Sequence, residues 1–279
     1  MSEKTILVLG GPKSGKTHYG AQLTVRLSKN LGDLKYYEQP ENLSLFQETN
    51  TCLARGRLAP HTPVSVSKDI VLPIELPSGD RARVVWPDFG GEQIERILEQ
   101  RVTPFKWKER ASAADGWLLM IRPELFRCAR DMIHRPLADF IPEKSDKAPP
   151  ILMMPEASII ELLQILLFLR RSSRESKILT PRLTVAISCW DESDTSEFQD
   201  PPSYFAALTP MLSNFVLGTW EQEQLNVIGV SALGKTLQAN QDDEEFIDQG
   251  AHRQGFVILP NGEETKDLTW PLHSLLGQS

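Results

Sequence analysis

The stretch Gly10-Gly11-Pro12-Lys13-Ser14-Gly15-Lys16-Thr17 decides how this chain folds. It fits the pattern G-x-x-x-x-G-K-[ST] at every fixed position, follows the apolar run Ile6-Leu7-Val8-Leu9, and precedes a segment with helical spacing. Glycines let backbone N–H groups curl around a polyphosphate, and the helix start adds the positive end of its dipole. A lysine at Lys16 supplies a compact cation for the terminal phosphates, and the Thr17 hydroxyl is placed to ligate Mg2+. The pattern makes Gly11, Pro12, Lys13, Ser14, Gly15, Lys16, Thr17 and His18 candidate ligands of a nucleotide polyphosphate.

Working outward, Thr5–Leu9 reads as a short buried strand, and His18–Lys29 as a helix with Tyr19, Leu23 and Leu27 on one face. Residues 30–69 are poorly patterned, punctuated by Gly32, Pro40, Gly56, Pro60 and Pro63, and so long a stretch is expected to be functional. Ile70–Leu76 and Ala82–Trp86 flank Pro77-Ser78-Gly79-Asp80 and predict an antiparallel hairpin. Glu92–Ala113 reads as helix broken at Pro104, and Gly116–Arg122 as an apolar strand stopped by Pro123. Pro142–Pro155 is expected to be an inserted surface loop, and Ser158 to cap a helix from Ile159 to Arg171. Leu183–Ile187 and Leu225–Val230 complete the strong strands, with helix broken near Pro210 between them. The acidic run Asp242–Glu245 reads as a solvated helix face, and Gly255–Leu259 with Pro260-Asn261-Gly262 as a small hairpin.

Strands separated by helices imply an α/β, doubly wound, mostly parallel sheet with helices on both faces, and the 70–86 hairpin adds one antiparallel edge. The whole chain of 279 residues reads as one domain, with a core of about 4–233 and a C-terminal extension, 234–279, carrying the small hairpin. A formal charge of −7 argues against a broad nucleic-acid-binding face, so no direct nucleic-acid binding is expected. Cys52, Cys128 and Cys189 lie far apart without C-x-x-C spacing, which fits a reduced, cytoplasmic protein without structural zinc. The first apolar run is too short for a signal peptide, and Ile159–Leu169 is about half a membrane span, so no span is expected.

A second motif is Trp86-Pro87-Asp88-Phe89-Gly90-Gly91-Glu92. A carboxylate at a strand end is suited to hold Mg2+ through its second shell, here Asp88, while Gly91 completes D-x-x-G and lets a backbone N–H approach the terminal phosphate. In layout the chain resembles the translation-factor and Ras-like class of P-loop GTPases. The resemblance implies that a loop threonine meets Mg2+ and the terminal phosphate; Thr62 stands in the matching place, with Thr49 and Thr51 as competitors. Glu92 falls where that class often has a glutamine that orients the attacking water, and a helix-start glutamate favoured by the dipole is the alternative.

The class reads its base with N/T-K-x-D at a strand end, where this chain has Ser188-Cys189-Trp190-Asp191. Asp191 is in register to accept hydrogen bonds from guanine, Cys189 and Trp190 offer apolar contact, and the asparagine and lysine are absent. Ser231-Ala232-Leu233 matches the S-A-x loop whose backbone N–H groups meet the base oxygen. With L-G-G-P-K-S-G-K-T at 9–17, P-D-F-G-G-E at 87–92, A-D-G-W-L-L-M-I-R-P at 114–123, and the ending G-F-V-I-L-P-N-G with D-L-T-W-P-L, the chain resembles the double-GTPase family of bacterial conflict systems. That resemblance implies a Mg2+-dependent, GTP- and GDP-binding switch in an anti-phage cluster, working with protein partners encoded beside it. The competing readings are a nucleotide-binding scaffold with little hydrolysis and an ATP-using P-loop protein. A small-molecule kinase lacks support, because Arg170, Arg171 and Arg174 read as a helix end rather than a lid.

Overall fold

The computed structural model describes residues 3–60, 69–87, 92–126, 155–171 and 176–277, except for the side chains of Glu92, Gln93, Glu95 and Arg96. Among the described residues nine strands lie in one sheet, in the order β2-β3-β4-β1-β5-β6-β7-β8-β9. They are β1 (Lys4–Leu9), β2 (Lys35–Tyr36), β3 (Ile70–Glu75), β4 (Arg81–Trp86), β5 (Gly116–Ile121), β6 (Arg182–Ser188), β7 (Leu225–Ser231), β8 (Phe256–Ile258) and β9 (Glu264–Thr265). The five central strands run parallel, from β4 through β1, β5 and β6 to β7.

Both edges are antiparallel. The expected hairpin β3–β4 turns through Leu76 to Asp80, with Gly79 at a left-handed φ of 87°, and β2 adds to its outer side. The tail hairpin β8–β9 forms as its turn residues suggest, and it also pairs with β7 and so extends the main sheet. Patterning could suggest that hairpin but not its docking, which depends on a strand edge 25 residues upstream (Ser231 to Phe256).

Alternation along β1 assigns the two faces. Ile6 and Val8 enter one core with the helices α1 (Lys16–Ser28), α2 (Ser44–Ala54) and α9 (Trp270–Leu276). Leu7 and Leu9 enter the other, against α3 (Glu92–Gln100), α4 (Phe105–Ala113), α5 (Pro155–Leu169), α6 (Pro201–Leu208) and α7 (Pro210–Thr219). A period of two along each strand thus fills two helix layers, as a doubly wound sheet requires.

The helical stretch 92–113 is two helices with the break at 101–104, as Pro104 predicts, and Pro104 stands just before α4. Other elements differ from expectation for local reasons. Helix α5 begins at Pro155, so Ser158 lies inside it rather than capping it; proline suits a first helical position, where its missing N–H costs nothing. The poorly patterned region contains α2, a short helix whose apolar face is little more than Phe46 and Leu53. The acidic run supplies the N-cap and first turn of α8 (Glu244–Gln249), with the Asp243 carboxylate accepting from Phe246 N at 2.9 Å. Residues 142–154 of the expected insertion lie outside the described residues.

The tail also grips α1. Tyr19 Oη donates to the carbonyl of Leu268 at 2.9 Å, and Gln22 Nε2 to that of Ala251 at 2.8 Å. Arg26, almost fully buried, donates to the carbonyls of Lys266 and Gln254 at 2.5 and 2.6 Å. Apolar packing holds the other side: Tyr19 stacks on Trp86 at 6.0 Å, and Phe46 meets Trp86 edge-on at 5.3 Å.

Gly20 makes this approach possible, since a Cβ there would stand 2.4 Å from the Phe46 ring and 2.9 Å from Trp86. Helix propensity alone favours Gly20→Ala by about 1 kcal/mol. Overpacking a filled core typically costs about 1–3 kcal/mol, and the rigid rings on both sides have no room to yield. Gly20→Ala is therefore expected to lower stability in urea denaturation, and a raised midpoint would show that the α1–α2–β4 contact is loose.

Candidate functional site

The carboxyl ends of the parallel strands face a cavity of about 330 Å³. Such ends are where open α/β sheets place their ligands. Its walls come from the 12–18 loop and helix start, from the strand ends at Met120, Ser188 and Val230, and from the loops that follow.

The loop between β1 and α1 takes its shape from residues that tolerate unusual backbone. Gly15, the residue before α1, sits at φ 82°, and a Cβ on Gly10 would lie 2.6 Å from the Met120 carbonyl oxygen. Lys13 is also left-handed, at φ 58°. Among the described residues no side chain caps the start of α1, and no acidic residue lies in its first turn. The positive dipole end of the helix thus faces the cavity, where an anion suits it.

Lys16 Nζ reaches back across the loop to donate to the carbonyls of Gly10 at 2.8 Å and Gly11 at 2.7 Å, and to Ser14 Oγ at 3.1 Å. Burial pushes its ammonium down to about 8. The cation is therefore positioned and only partly compensated, which favours a charged phosphate beside it. His18 is pushed down to about 4, first by burial and then by the charge of Arg122, and its ring is neutral at physiological pH.

Of the residues that the sequence singles out, Pro12, Lys13, Ser14, Gly15, Lys16, Thr17, His18, Cys189, Asp191, Ala232 and Leu233 all line this one cavity. Gly11 contributes through its carbonyl. Ser231 is fully buried, and its Oγ accepts from Gly234 N at 2.8 Å, which closes the loop that presents Ala232 and Leu233. Trp190 is not part of the lining. It lies flat on β7, where a Cβ on Gly229 would meet its ring at 2.4 Å, and it meets Tyr204 edge-on at 5.4 Å. The apolar contact expected of Trp190 therefore goes to the core, because Gly229 leaves space for an indole there.

Thr62, Asp88 and Gly91 lie outside the described residues, as does the side chain of Glu92, whose backbone begins α3. Thr49 is buried within α2, and Thr51 Oγ1 donates to the Gln47 carbonyl of its own helix; neither lines the cavity. Arg110 is held by both oxygens of Asp69, at 2.5 and 2.8 Å, and Arg101 by Glu161 at 3.3 Å, so both arginines have structural partners.

The lining also contains residues that the motifs did not indicate: Leu58, Ala59 and Pro60 on one side, Arg122 and Glu192 at strand ends, and Lys235 with Thr236 beyond the Ser231 loop. Arg122 follows β5 directly, and a polar residue at the carboxyl end of a parallel strand was the available signal. Cys189 is pushed up to about 11, chiefly by burial, and stands there as a neutral thiol.

Against these observations stands the match of a family profile, Double-GTPase 1, over residues 7–275. The chain belongs to the Double-GTPase 1 family. Membership supports binding and hydrolysis of GTP, and the phosphate loop lies where such a ligand would be held. No curated protein matches the sequence.

Among solved structures, the chain is similar to a bacterial selenocysteine-specific elongation factor EF-Sec, at 13% identity and a TM-score of 0.35, over 83% of this chain and 26% of that one. It is similar to the S. cerevisiae Ski7 GTPase-like domain bound to GTP, at 15% identity and a TM-score of 0.42, over 88% of this chain and 48% of that one. A probable GTP-binding protein engB matches at 15% identity and a TM-score of 0.34, over 88% of this chain and 99% of that one. The chain thus spans about a quarter of the elongation factor and about half of the Ski7 chain.

The Lys16 geometry predicts a pH dependence. A bound phosphate stabilises the ammonium, so the complex keeps its proton while the free protein loses it as pH rises through about 8. Binding then takes up a proton, and the GTP association constant is expected to be flat below pH 7.5 and to fall above pH 8 by up to about tenfold per pH unit. His18, already neutral, adds nothing in that window. Calorimetric titrations at pH 7, 8 and 9 read this directly, and equal affinities at 7 and 9 would contradict it.

Proposed function

We propose that this protein is a Mg2+-dependent GTP-hydrolysing switch of one GTPase-like domain, residues 1–279, that acts in the cytoplasm with protein partners of a bacterial conflict system. The observation that carries the reading is the placement of Lys16, Thr17, Asp191 and the Ala232–Leu233 loop around one cavity. One end of it suits a polyphosphate and the other a base. The defence role and its partners rest on the family resemblance.

At the phosphate end, the N–H groups at the start of α1 and the Lys16 ammonium bind the β- and γ-phosphates and oppose the charge that builds as the terminal bond breaks. Among the described residues no cluster of His, Cys, Asp or Glu is placed to hold a metal alone. That is compatible with Mg2+, which takes few protein ligands and keeps waters and phosphate oxygens. Thr17, a hard oxygen donor one residue beyond Lys16 on the cavity wall, would hold it together with Thr62 and, through its outer shell, Asp88. Bound there, the ion would neutralise charge on the β- and γ-phosphates.

Glu92 is read as the residue that orients the attacking water, and the Thr62 and Asp88–Gly91 segments as those that a γ-phosphate holds and GDP releases. At the base end, Asp191 accepts from the N–H groups of guanine. Adenine offers an acceptor at the corresponding position and leaves the carboxylate unpaired.

Single-turnover assays with radiolabelled GTP test the reading. Lys16→Ala is expected to lower binding or turnover by about a hundredfold or more. Glu92→Ala is expected to lower the cleavage rate by at least tenfold while leaving GTP affinity within about twofold. Tight GTP binding with no cleavage by the unmodified protein would make it a nucleotide-dependent scaffold instead. Asp191→Ala is expected to reduce the preference for GTP over ATP by about tenfold or more, and an unchanged preference would assign base reading to another residue.

A further inference from the structure

Three loops meet at one end of the cavity, one after each of β5, β6 and β7, and the Glu192 side chain contacts the other two, Arg122 through one oxygen and Thr236 through the other. Arg122, immediately after β5, places Nη2 3.0 Å from Glu192 Oε2 and 3.0 Å from Glu124 Oε2. Glu192 closes the Trp190–Glu192 turn that carries Asp191, and its other oxygen accepts from Thr236 Oγ1 at 3.4 Å, on the loop after β7. Arg122, Asp191, Glu192 and Thr236 all line the cavity.

The turn needs such a tie. Besides the Trp190 ring, its local support includes short contacts within itself: Glu192 N to the Cys189 carbonyl at 3.0 Å, Ser193 N to the Trp190 carbonyl at 3.1 Å, and Ser193 Oγ to the Cys189 carbonyl at 3.2 Å. Cys189 holds the turn in a left-handed backbone, at φ 52°, which is uncommon for a residue with a side chain. Asp191 itself is exposed, so its direction is set by the residues on either side. On one side Trp190 is packed on β7, and on the other Glu192 is held by Arg122.

The cavity's other cations are differently placed. Lys13 and Lys16 belong to the phosphate loop, and Lys235 is held by Asp243 at 2.8 Å and Glu245 at 3.1 Å. Arg122 also keeps an unmet group: its Nε is buried without a hydrogen-bond partner, as is Nε2 of His18 on the same cavity wall.

We propose that Arg122 is the positioning residue for base recognition, clamping the Trp190–Glu192 turn through Glu192 so that Asp191 faces the base at a fixed distance. The inference rests on the guanine reading of the site given above. An exposed ion pair adds little stability. Its value here is geometric, because a carboxylate discriminates between bases only if its direction is held.

The test uses the full-length protein and three probes: GTP, ATP and inorganic tripolyphosphate, the last reporting on the phosphate loop alone. Arg122→Ala is expected to weaken GTP and GDP by a common factor of about tenfold, with ATP and tripolyphosphate within twofold and the melting temperature within a few degrees. Arg122→Lys, which restores the charge without the fork, is expected to recover part of the GTP affinity. Glu192→Ala is expected to mimic Arg122→Ala, and the double variant to be no worse than either single one, as for two residues acting through one contact.

A GTP/ATP ratio unchanged in Arg122→Ala would overturn the inference alone. So would equal losses for all three probes, which would mark a general charge or folding effect. An unmodified protein with no preference for GTP over ATP would overturn the guanine reading and this inference with it, and it would show before any variant is made.

Discussion

A lysine ammonium held among backbone carbonyls is the constraint on which this site depends. The Lys16 side chain folds back to Gly10 and Gly11, and this is possible only because the loop between β1 and α1 follows a path that side chains would obstruct. The same path leaves the first N–H groups of α1 without a side-chain cap. Cation and helix dipole then point into one volume, and each is more effective there because burial excludes the water that would screen it. Burial has a cost, visible in the lowered affinity of Lys16 for its own proton, and an anionic ligand offsets that cost.

The phosphate end and the base end of the proposed site differ in kind. The first is made of backbone geometry, so its sequence signature is compact: glycines, a lysine and a threonine in eight residues. The second is made of side chains from three strand ends that are far apart in sequence and adjacent only because β5, β6 and β7 are neighbours in the sheet. Where the GTPase class has a lysine this chain has the neutral thiol of Cys189, and the guanidinium of Arg122 lines the same cavity from another strand. Reading one strand end at a time misses that neighbour.

The same distinction explains what was legible. The central strands, the β3–β4 hairpin and the position of the phosphate loop follow from local periodicity and turn chemistry, and they fold where the pattern puts them. Helix α2 was missed because its apolar face is short, and its identity depends on Phe46 finding Trp86 across the layer. Trp190 was read as a base contact because it stands between two other candidates, Cys189 and Asp191. Its actual direction is set by Gly229, nearly 40 residues away, which no local rule consults. Asp191, by contrast, keeps its place on the cavity wall, since a turn that buries one side chain in the core presents the next to solvent.

The tail shows how far such long-range dependence reaches. Helix α1 buries Gln22, Thr24 and Arg26, which an ordinary amphipathic helix would turn to water. A guanidinium removed from water costs several kcal/mol unless its N–H groups are met. Arg26 meets two carbonyls, of Gln254 and Lys266, and burial still weakens its hold on its proton despite the nearby Asp267. Those carbonyls exist in that position only because β8 and β9 continue the main sheet and bring the chain back across α1. The residues after 233, which look like an appendage in the sequence, therefore supply the polar half of the surface that α1 packs against. The helix that begins at the phosphate loop is thus held along its length by the far end of the chain, so the loop and the tail hairpin meet on one element.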